Sequence, residues 1–387
     1  MEFIPYSCQQ ITEDDIAAVV DVLRSEYLTQ GPAVPAFEGA FARRHAVAHA
    51  VAVSNATAGL HIACLALGVG PGSMVWTSPN TFLASANCAR YCGADVGFVD
   101  IDPHTRNMSV LSLAAKLEEA QSVGRLPDVV VPVDFSGLPA NLREIRALAD
   151  RYDFRILQDA SHAAGGSYQG APVGSQYSDV SVFSFHAVKI VTTGEGGMVT
   201  THDASLARQL QLLRSHGMTR EAEELTHSAT GPWYYEQQLL GFNYRMTDIQ
   251  AALGLSQLAR MDALHARRVE LADRYDSLLA GLPLKLPARM TDRVSSWHLY
   301  AVEMLASPGV ATRLAVFERL RALQIGVNVH YIPVHLQPYY AKLGFRRGEF
   351  PAAEAYYDAA ISLPLFPALT DVQQDRVSVA VREALAA

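Results

Sequence analysis

From His45 to Ala89 the chain carries no Asp, Glu, Lys or Arg, and no other stretch this long is free of them. His49, Asn55, His61, Pro71, Gly72 and Pro79 interrupt it, which rules out a membrane span. An uncharged stretch of this length inside a globular chain means deep burial. The pattern around it shows what kind. Ala50–Val53 reads as a strand leading into a helix from about Asn55 to Leu67. Met74–Thr77 is a second strand, followed by a helix near Leu83–Tyr91. Further β-branched runs lie at Val96–Asp100, Val129–Val133, Arg155–Leu157, Val180–Phe185 and Gly197–Thr200, with a helical pattern at Leu142–Tyr152. Strand-helix alternation of this kind predicts an α/β fold with a mostly parallel sheet covered on both faces.

Beyond that series a helix is expected over Ser205–Ser215, and two long helical patterns fill Ala251–Leu282. After Pro283 the character changes. His298–Met304 and Gly326–Tyr331 read as strands flanking a helix at Ala311–Leu323, a smaller α+β unit. With 387 residues the chain is too long for one ordinary core. The expected division is a large domain over 1–250, including the N-terminal segment, and a smaller one over 251–387.

The 31 basic and 39 acidic residues give a net charge of −8, with no basic block or stripe, so a nucleic-acid partner is not expected. Cys8, Cys64, Cys88 and Cys92 complete no Cys/His pairing suited to zinc, and no metal is expected. Scattered thiols in a chain of this size point to a reducing, cytoplasmic setting. Met1-Glu2-Phe3-Ile4-Pro5 has no charged leader before an apolar core, so no signal peptide is expected.

Lysine is scarce: Lys116, Lys189, Lys285 and Lys342 are the full set. Lys116 fits a solvated helix face, Lys285 an edge strand and Lys342 a turn. Lys189 differs, following the hydrophobic run Val180–Phe185 and preceding Thr192-Thr193-Gly194-Glu195-Gly196-Gly197. Desolvation there lowers the pKa of the amine and makes it a nucleophile suited to Schiff-base chemistry. A lysine snorkelling from a strand end fits the same residues. Asp159 ends the strand Phe154–Gln158, and carboxylates at the C-terminal ends of parallel strands point into the ligand crevice. There it suits the ring nitrogen of a pyridoxal cofactor, or the plainer role of a loop cap. The run Ser54-Asn55-Ala56-Thr57-Ala58-Gly59 places small and hydroxyl residues at a helix N-terminus, where free N–H groups and the helix dipole attract a phosphate. An ordinary N-cap accounts for it equally well. Phe82 opens the next helix at the same sheet edge and suits either stacking on a cofactor ring or the core. The Gly-rich stretches match neither the dinucleotide fingerprint nor the P-loop.

Three motifs then combine: Ser184-Phe185-His186-Ala187-Val188-Lys189 with Thr193-Gly194-Glu195-Gly196-Gly197; Gly241-Phe242-Asn243-Tyr244-Arg245-Met246; and Ser296-Trp297-His298-Leu299-Tyr300. Together they resemble the DegT/StrS family of pyridoxal-phosphate-dependent sugar-nucleotide aminotransferases. The resemblance runs from Ile4-Pro5-Tyr6-Ser7 to Ser362-Leu363-Pro364-Leu365-Phe366-Pro367. It implies the aspartate aminotransferase-like (fold type I) architecture, a large domain with a mostly parallel seven-stranded sheet plus a smaller C-terminal α+β domain. Within the family, Tyr27-Leu28-Thr29-Gln30-Gly31-Pro32, Ser85-Ala86-Asn87-Cys88 and His330-Tyr331-Ile332-Pro333-Val334-His335 are most similar to the 4-aminotransferases of pseudaminic acid biosynthesis.

Carried over by position, the resemblance implies that Lys189 is the catalytic Schiff-base lysine and Asp159 the partner of the pyridine nitrogen. Phe82 would stack on the ring and His162 lie near its hydroxyl. Ala56, Thr57 and Ser184 would hold the phosphate. Asn243 would reach that phosphate from the other subunit of a homodimer whose active site is shared. Tyr6, Glu26, Tyr27, Leu28, Thr29, His330 and Tyr331 would line the sugar-nucleotide site. The implied cofactor is pyridoxal 5′-phosphate, with pyridoxamine phosphate between half-reactions, and the implied substrates are L-glutamate and a UDP-linked 4-keto-6-deoxy-N-acetylhexosamine. Family members that dehydrate at C3 carry histidine in place of the lysine, so Lys189 implies transamination. The alternatives are another keto sugar (GDP- or dTDP-linked, or 3-keto) and a non-catalytic regulatory protein that binds the cofactor.

Overall fold

The computed structural model describes residues 2–306 and 311–386. Its centre is a seven-stranded sheet built from β1 (His49–Val53), β2 (Met74–Thr77), β3 (Asp95–Phe98), β4 (Val129–Val131), β5 (Arg155–Asp159), β6 (Val180–Ser184) and β7 (Gly197–Thr201). The strand order is β1-β7-β6-β5-β4-β2-β3. Neighbours from β3 through β6 pair parallel, and β7 alone runs against the others, between β6 and β1. All seven expected strands are present and their bounds agree to within two residues. β4 ends early, at Val131, because Pro132 has no N–H to continue a ladder.

Helices α1 (Glu13–Leu23), α2 (Ala33–Arg44), α3 (Ala56–Ala66) and α4 (Ala84–Tyr91) come before and between the first strands. α3 explains the missing charges: eight of its eleven residues are buried. Its apolar surface packs with β1, β6, β7 and α4 in one core that holds Val51, Leu60, Ile62, Cys64, Cys88, Val182 and Val199. A helix wrapped on all sides has no face on which to place a charge. Gly197 lets it start close to the sheet, since a Cβ there would lie 2.8 Å from the Ala56 nitrogen.

A smaller antiparallel sheet joins Leu284–Lys285, Tyr300–Met304 and Ala360–Leu363, with Tyr300–Met304 in the middle. Here the sequence reading needs correcting. Gly326–Tyr331, expected to be a strand, makes only single bridges nearby, Ile325 with Ile4 and Asn328 with Ser362. The third strand is Ala360–Leu363, which immediately follows the helix Pro351–Ala359. A run that swaps partners after one residue forms no ladder, and this one turns instead to deliver His330 and Tyr331 to a cavity. The helix expected at Ala311–Leu323 spans Arg313–Ala322. Ile4 is fully buried in the core of this region with Leu271, Tyr275, Tyr300 and Leu363.

Lys116 also departs from expectation. It is half-buried, with Nζ 4.5 Å from the Trp76 ring centroid and donating to the Phe98 carbonyl at 2.5 Å. Gly97 leaves the room for this, and desolvation pulls the amine down to about 8.

Candidate active site

The loops after β1, β2, β4, β5 and β6 open on the same edge of the sheet, at the C-terminal ends of its parallel strands. They surround a cavity of about 750 Å³ whose walls include Ala56, Thr57, Phe82, Asp159, His162, Ser184 and Lys189, and on the far side Tyr6, His330 and Tyr331. The structure thus brings ten of the expected site residues to one place. β5 and β6 are direct neighbours, which sets Asp159 and the loop carrying Lys189 side by side.

Asp159 is 4% exposed. One carboxylate oxygen accepts from Ser85 Oγ at 2.6 Å, the other from the Ser161 N–H at 3.1 Å. No lysine or arginine lies within ion-pair range of it among the described residues. A buried carboxylate without a cation is costly, so this one suits a ligand that brings a positive charge into the cavity. The protonated ring nitrogen of pyridoxal phosphate meets that requirement. Ser85 was missed as a site residue. It stands in the first turn of α4 and opens the run Ser85-Ala86-Asn87-Cys88 quoted for the resemblance, and that motif was the available signal.

Lys189 sits on the turn after β6, its N–H bonded to the His186 carbonyl at 2.9 Å. Among the described residues Nζ has one partner, His298 Nε2 at 3.5 Å. Desolvation lowers the amine to about 8, against the opposing pull of Asp159. That value leaves a workable fraction of neutral amine near neutrality, as a nucleophile and proton carrier requires.

At the opposite end, the N–H groups of Ala56 and Thr57 have no acceptor among the described residues, because the Asn55 side chain caps Ala58 instead, at 2.8 Å. Two free N–H groups at the start of an eleven-residue helix, with Ser184 beside them, make an anion cradle that fits a phosphate. Asn55→Ala removes the cap and should cost about 1 kcal/mol. The urea midpoint reads this directly; an unchanged midpoint would mean that water replaces the cap. Phe82, 56% exposed, lines the cavity with its ring tilted against that of Tyr331.

Three buried histidines line the remaining wall, and desolvation holds His162 and His298 well below the usual range and His330 at about 4. All three are therefore neutral. The tautomer of His330 follows from its neighbours. The Val329 N–H binds Asn328 Oδ1, so the Asn328 amide turns its Nδ2 donor to His330 Nε2 at 3.4 Å. Nδ1 then carries the proton and donates to Ser362 Oγ at 2.8 Å. Tyr331 OH lies 3.2 Å from His162 Nε2, and Tyr6 is tilted over His330 at 5.7 Å.

Five expected site residues do not line this cavity. The segment with Glu26, Tyr27, Leu28 and Thr29 is exposed and is tied to the start of the helix Asp248–Ala259, through Gly31 and Ala33 N–H groups on the Asp248 carboxylate and the Asp248 N–H on the Leu28 carbonyl. Asn243 is exposed and bridges Ser215. Among the described residues no three His, Cys, Asp or Glu side chains are arranged to hold a metal, and no helix is long and apolar enough to cross a membrane.

Comparison with known proteins agrees with this geometry. Residues 9–382 match the DegT/DnrJ/EryC1/StrS aminotransferase family. The spore coat polysaccharide biosynthesis protein SpsC of Bacillus subtilis is 40% identical over 384 residues, 98% of this chain and 97% of SpsC. Among solved structures, Helicobacter pylori PseC, an aminotransferase involved in the biosynthesis of pseudoaminic acid, superposes with a TM-score of 0.90 at 30% identity, covering 99% of each chain. The PLP-form of the putative sugar aminotransferase Spr1654 from Streptococcus pneumoniae superposes with a TM-score of 0.89 at 32% identity, covering 99% of this chain and all of that one. The chain belongs to the DegT/DnrJ/EryC1/StrS aminotransferase family and is a fold type I sugar aminotransferase that uses pyridoxal 5′-phosphate.

Proposed function

We propose that this enzyme moves the amino group of L-glutamate to C4 of a UDP-linked 4-keto-6-deoxy-N-acetylhexosamine, yielding a UDP-4-amino sugar for pseudaminic acid-type biosynthesis. The likeness to PseC over 99% of both chains carries the reading. The wall of Tyr6, His330 and Tyr331, with neutral imidazole and phenol groups, suits the hydroxyl and keto groups of a sugar. A second reading is another nucleotide-linked keto sugar, such as a GDP- or dTDP-linked one, since SpsC, at 40% identity, is a spore coat polysaccharide biosynthesis protein and not one of pseudaminic acid biosynthesis by name.

When bound, the cofactor supplies a carbonyl that captures the donor nitrogen and a ring that takes up the electrons freed at the α-carbon. The protein does the rest. Asp159 would keep the ring nitrogen protonated, with Ser85 and the Ser161 N–H fixing its two carboxylate oxygens. Ala56, Thr57 and Ser184 would hold the phosphate, Phe82 would stack on the ring and His162 would lie near its hydroxyl. Lys189 Nζ removes the α-proton of glutamate, which leaves as 2-oxoglutarate, and later delivers a proton to C4 of the sugar. Asn243 and the Glu26–Thr29 segment, exposed in the single chain, serve the neighbouring subunit's site in a homodimer. The unpaired thiols fit a cytoplasmic enzyme.

The test is the cofactor's visible absorbance in the purified enzyme. L-Glutamate alone should bleach the band, and the UDP-4-keto sugar should restore it. Bleaching by glutamate with restoration only by a GDP- or dTDP-linked keto sugar would replace the first reading with the second.

A further inference from the structure

The motif Ser296-Trp297-His298-Leu299-Tyr300 has a job in this structure that the steps above leave unused. Trp297 sits in the left-handed region at φ 54°, a strained conformation for a bulky side chain. The strain is fixed from several sides. The His298 N–H bonds to the Ser136 carbonyl at 3.0 Å and the Ser296 N–H to the Gly137 carbonyl at 3.0 Å. Gly137, at φ 97°, has no room for a side chain, since a Cβ would lie 3.0 Å from the Trp297 nitrogen and closer still to the His162 carbonyl.

Arg268 completes the clamp. Its guanidinium is 1% exposed and Nη1 donates to three carbonyls: Trp297 at 3.1 Å, His298 at 3.3 Å and Leu365 at 3.0 Å. No carboxylate pairs with it among the described residues, and Nε has no partner. An unpaired buried cation is an expensive way to hold a turn that serves packing alone.

What the turn presents is the His298 ring. It is 4% exposed, with Nε2 3.5 Å from Lys189 Nζ and Nδ1 without a partner. It lies 4.4 Å, centroid to centroid, from His162, which contacts Tyr331 OH. We propose that His298 is a positioning residue for the Lys189 amine, held on target by the strained Trp297 turn and the Arg268 clamp. Nε2 is the only protein group in hydrogen-bond range of Nζ among the described residues. It selects the orientation from which Lys189 reaches the reacting carbon each time the lysine is free. This rests on the aminotransferase reading of Lys189 but on no particular sugar.

Two variants separate positioning from packing. His298→Phe keeps an aromatic ring and removes the nitrogen, whereas His298→Gln keeps a polar atom at similar reach. The Phe variant should lose about 100-fold in kcat with KM for L-glutamate nearly unchanged, and the Gln variant should stay within about tenfold of wild type. In the cofactor-free chain, labelling of Lys189 by an amine-reactive acylating reagent, followed by mass spectrometry, should be half-maximal near pH 8. That midpoint should move to lower pH in the Phe variant, because the ammonium form loses its one acceptor, and hold in the Gln variant. Turnover by the Phe variant equal to or above that of the Gln variant would overturn the proposal. So would a fall in kcat with an unmoved labelling midpoint, which would assign His298 to packing. If the labelling shifts as stated but wild-type enzyme aminates no UDP-4-keto sugar, the substrate assignment fails and the role of His298 stands.

Discussion

Lys189→Ala should show no measurable transamination, a loss of about 10⁴-fold or more in kcat, because nucleophile and proton carrier are the same atom. Among the described residues Lys189 is the only lysine lining the cavity and no arginine lines it, so no other amine is placed to substitute. The variant should still fold. Burial lowers this amine from its ordinary 10.5 to about 8, so between those values the unfolded chain holds a proton that the folded chain has released. The folded state therefore carries a penalty that is fully present below pH 8 and fades as the pH rises towards 10.5. Removing the lysine removes the penalty. The cofactor-free variant should melt no lower than wild type at pH 7, and its relative advantage should shrink at pH 10. Turnover within tenfold of wild type would refute the role of Lys189. A collapsed melting temperature at pH 7 would instead show that its stem is needed for packing.

Asp159→Asn is expected to reduce kcat by about 10³-fold, since a neutral amide cannot keep the ring nitrogen protonated while charge develops on it. Geometry is preserved, because the amide oxygen can still accept from Ser85 or Ser161. Ser85→Ala is the graded companion. It removes one hydrogen bond to the carboxylate and should cost about tenfold. The pair distinguishes charge from placement. A loss for Asp159→Asn no greater than that for Ser85→Ala would mean that the carboxylate orients the ring without setting its protonation.

The sequence by itself determined the elements whose signals are local. The β-branched runs fixed the seven strands, and β2 and the helix at Leu142–Tyr152 fall where the pattern put them. The uncharged stretch announced the burial of α3, and Lys189 and Asp159 stood out as ionisable groups at the ends of hydrophobic strands. Each of these follows from a periodicity or a local desolvation that a short window contains. What depended on partners far away in the chain was not legible there. Lys116 looked solvated because its helix pattern shows neither Trp76 nor the Phe98 carbonyl. Gly326–Tyr331 looked like a strand because its apolar run does not show that pairing lasts one residue at a time. The grip of Ser85 on Asp159, the Arg268 clamp and the approach of His298 to Lys189 join residues separated by 74, 30 and 109 positions. Only tertiary structure decides such contacts, because hydrogen-bond partners are chosen by where folded elements meet and not by spacing along the chain.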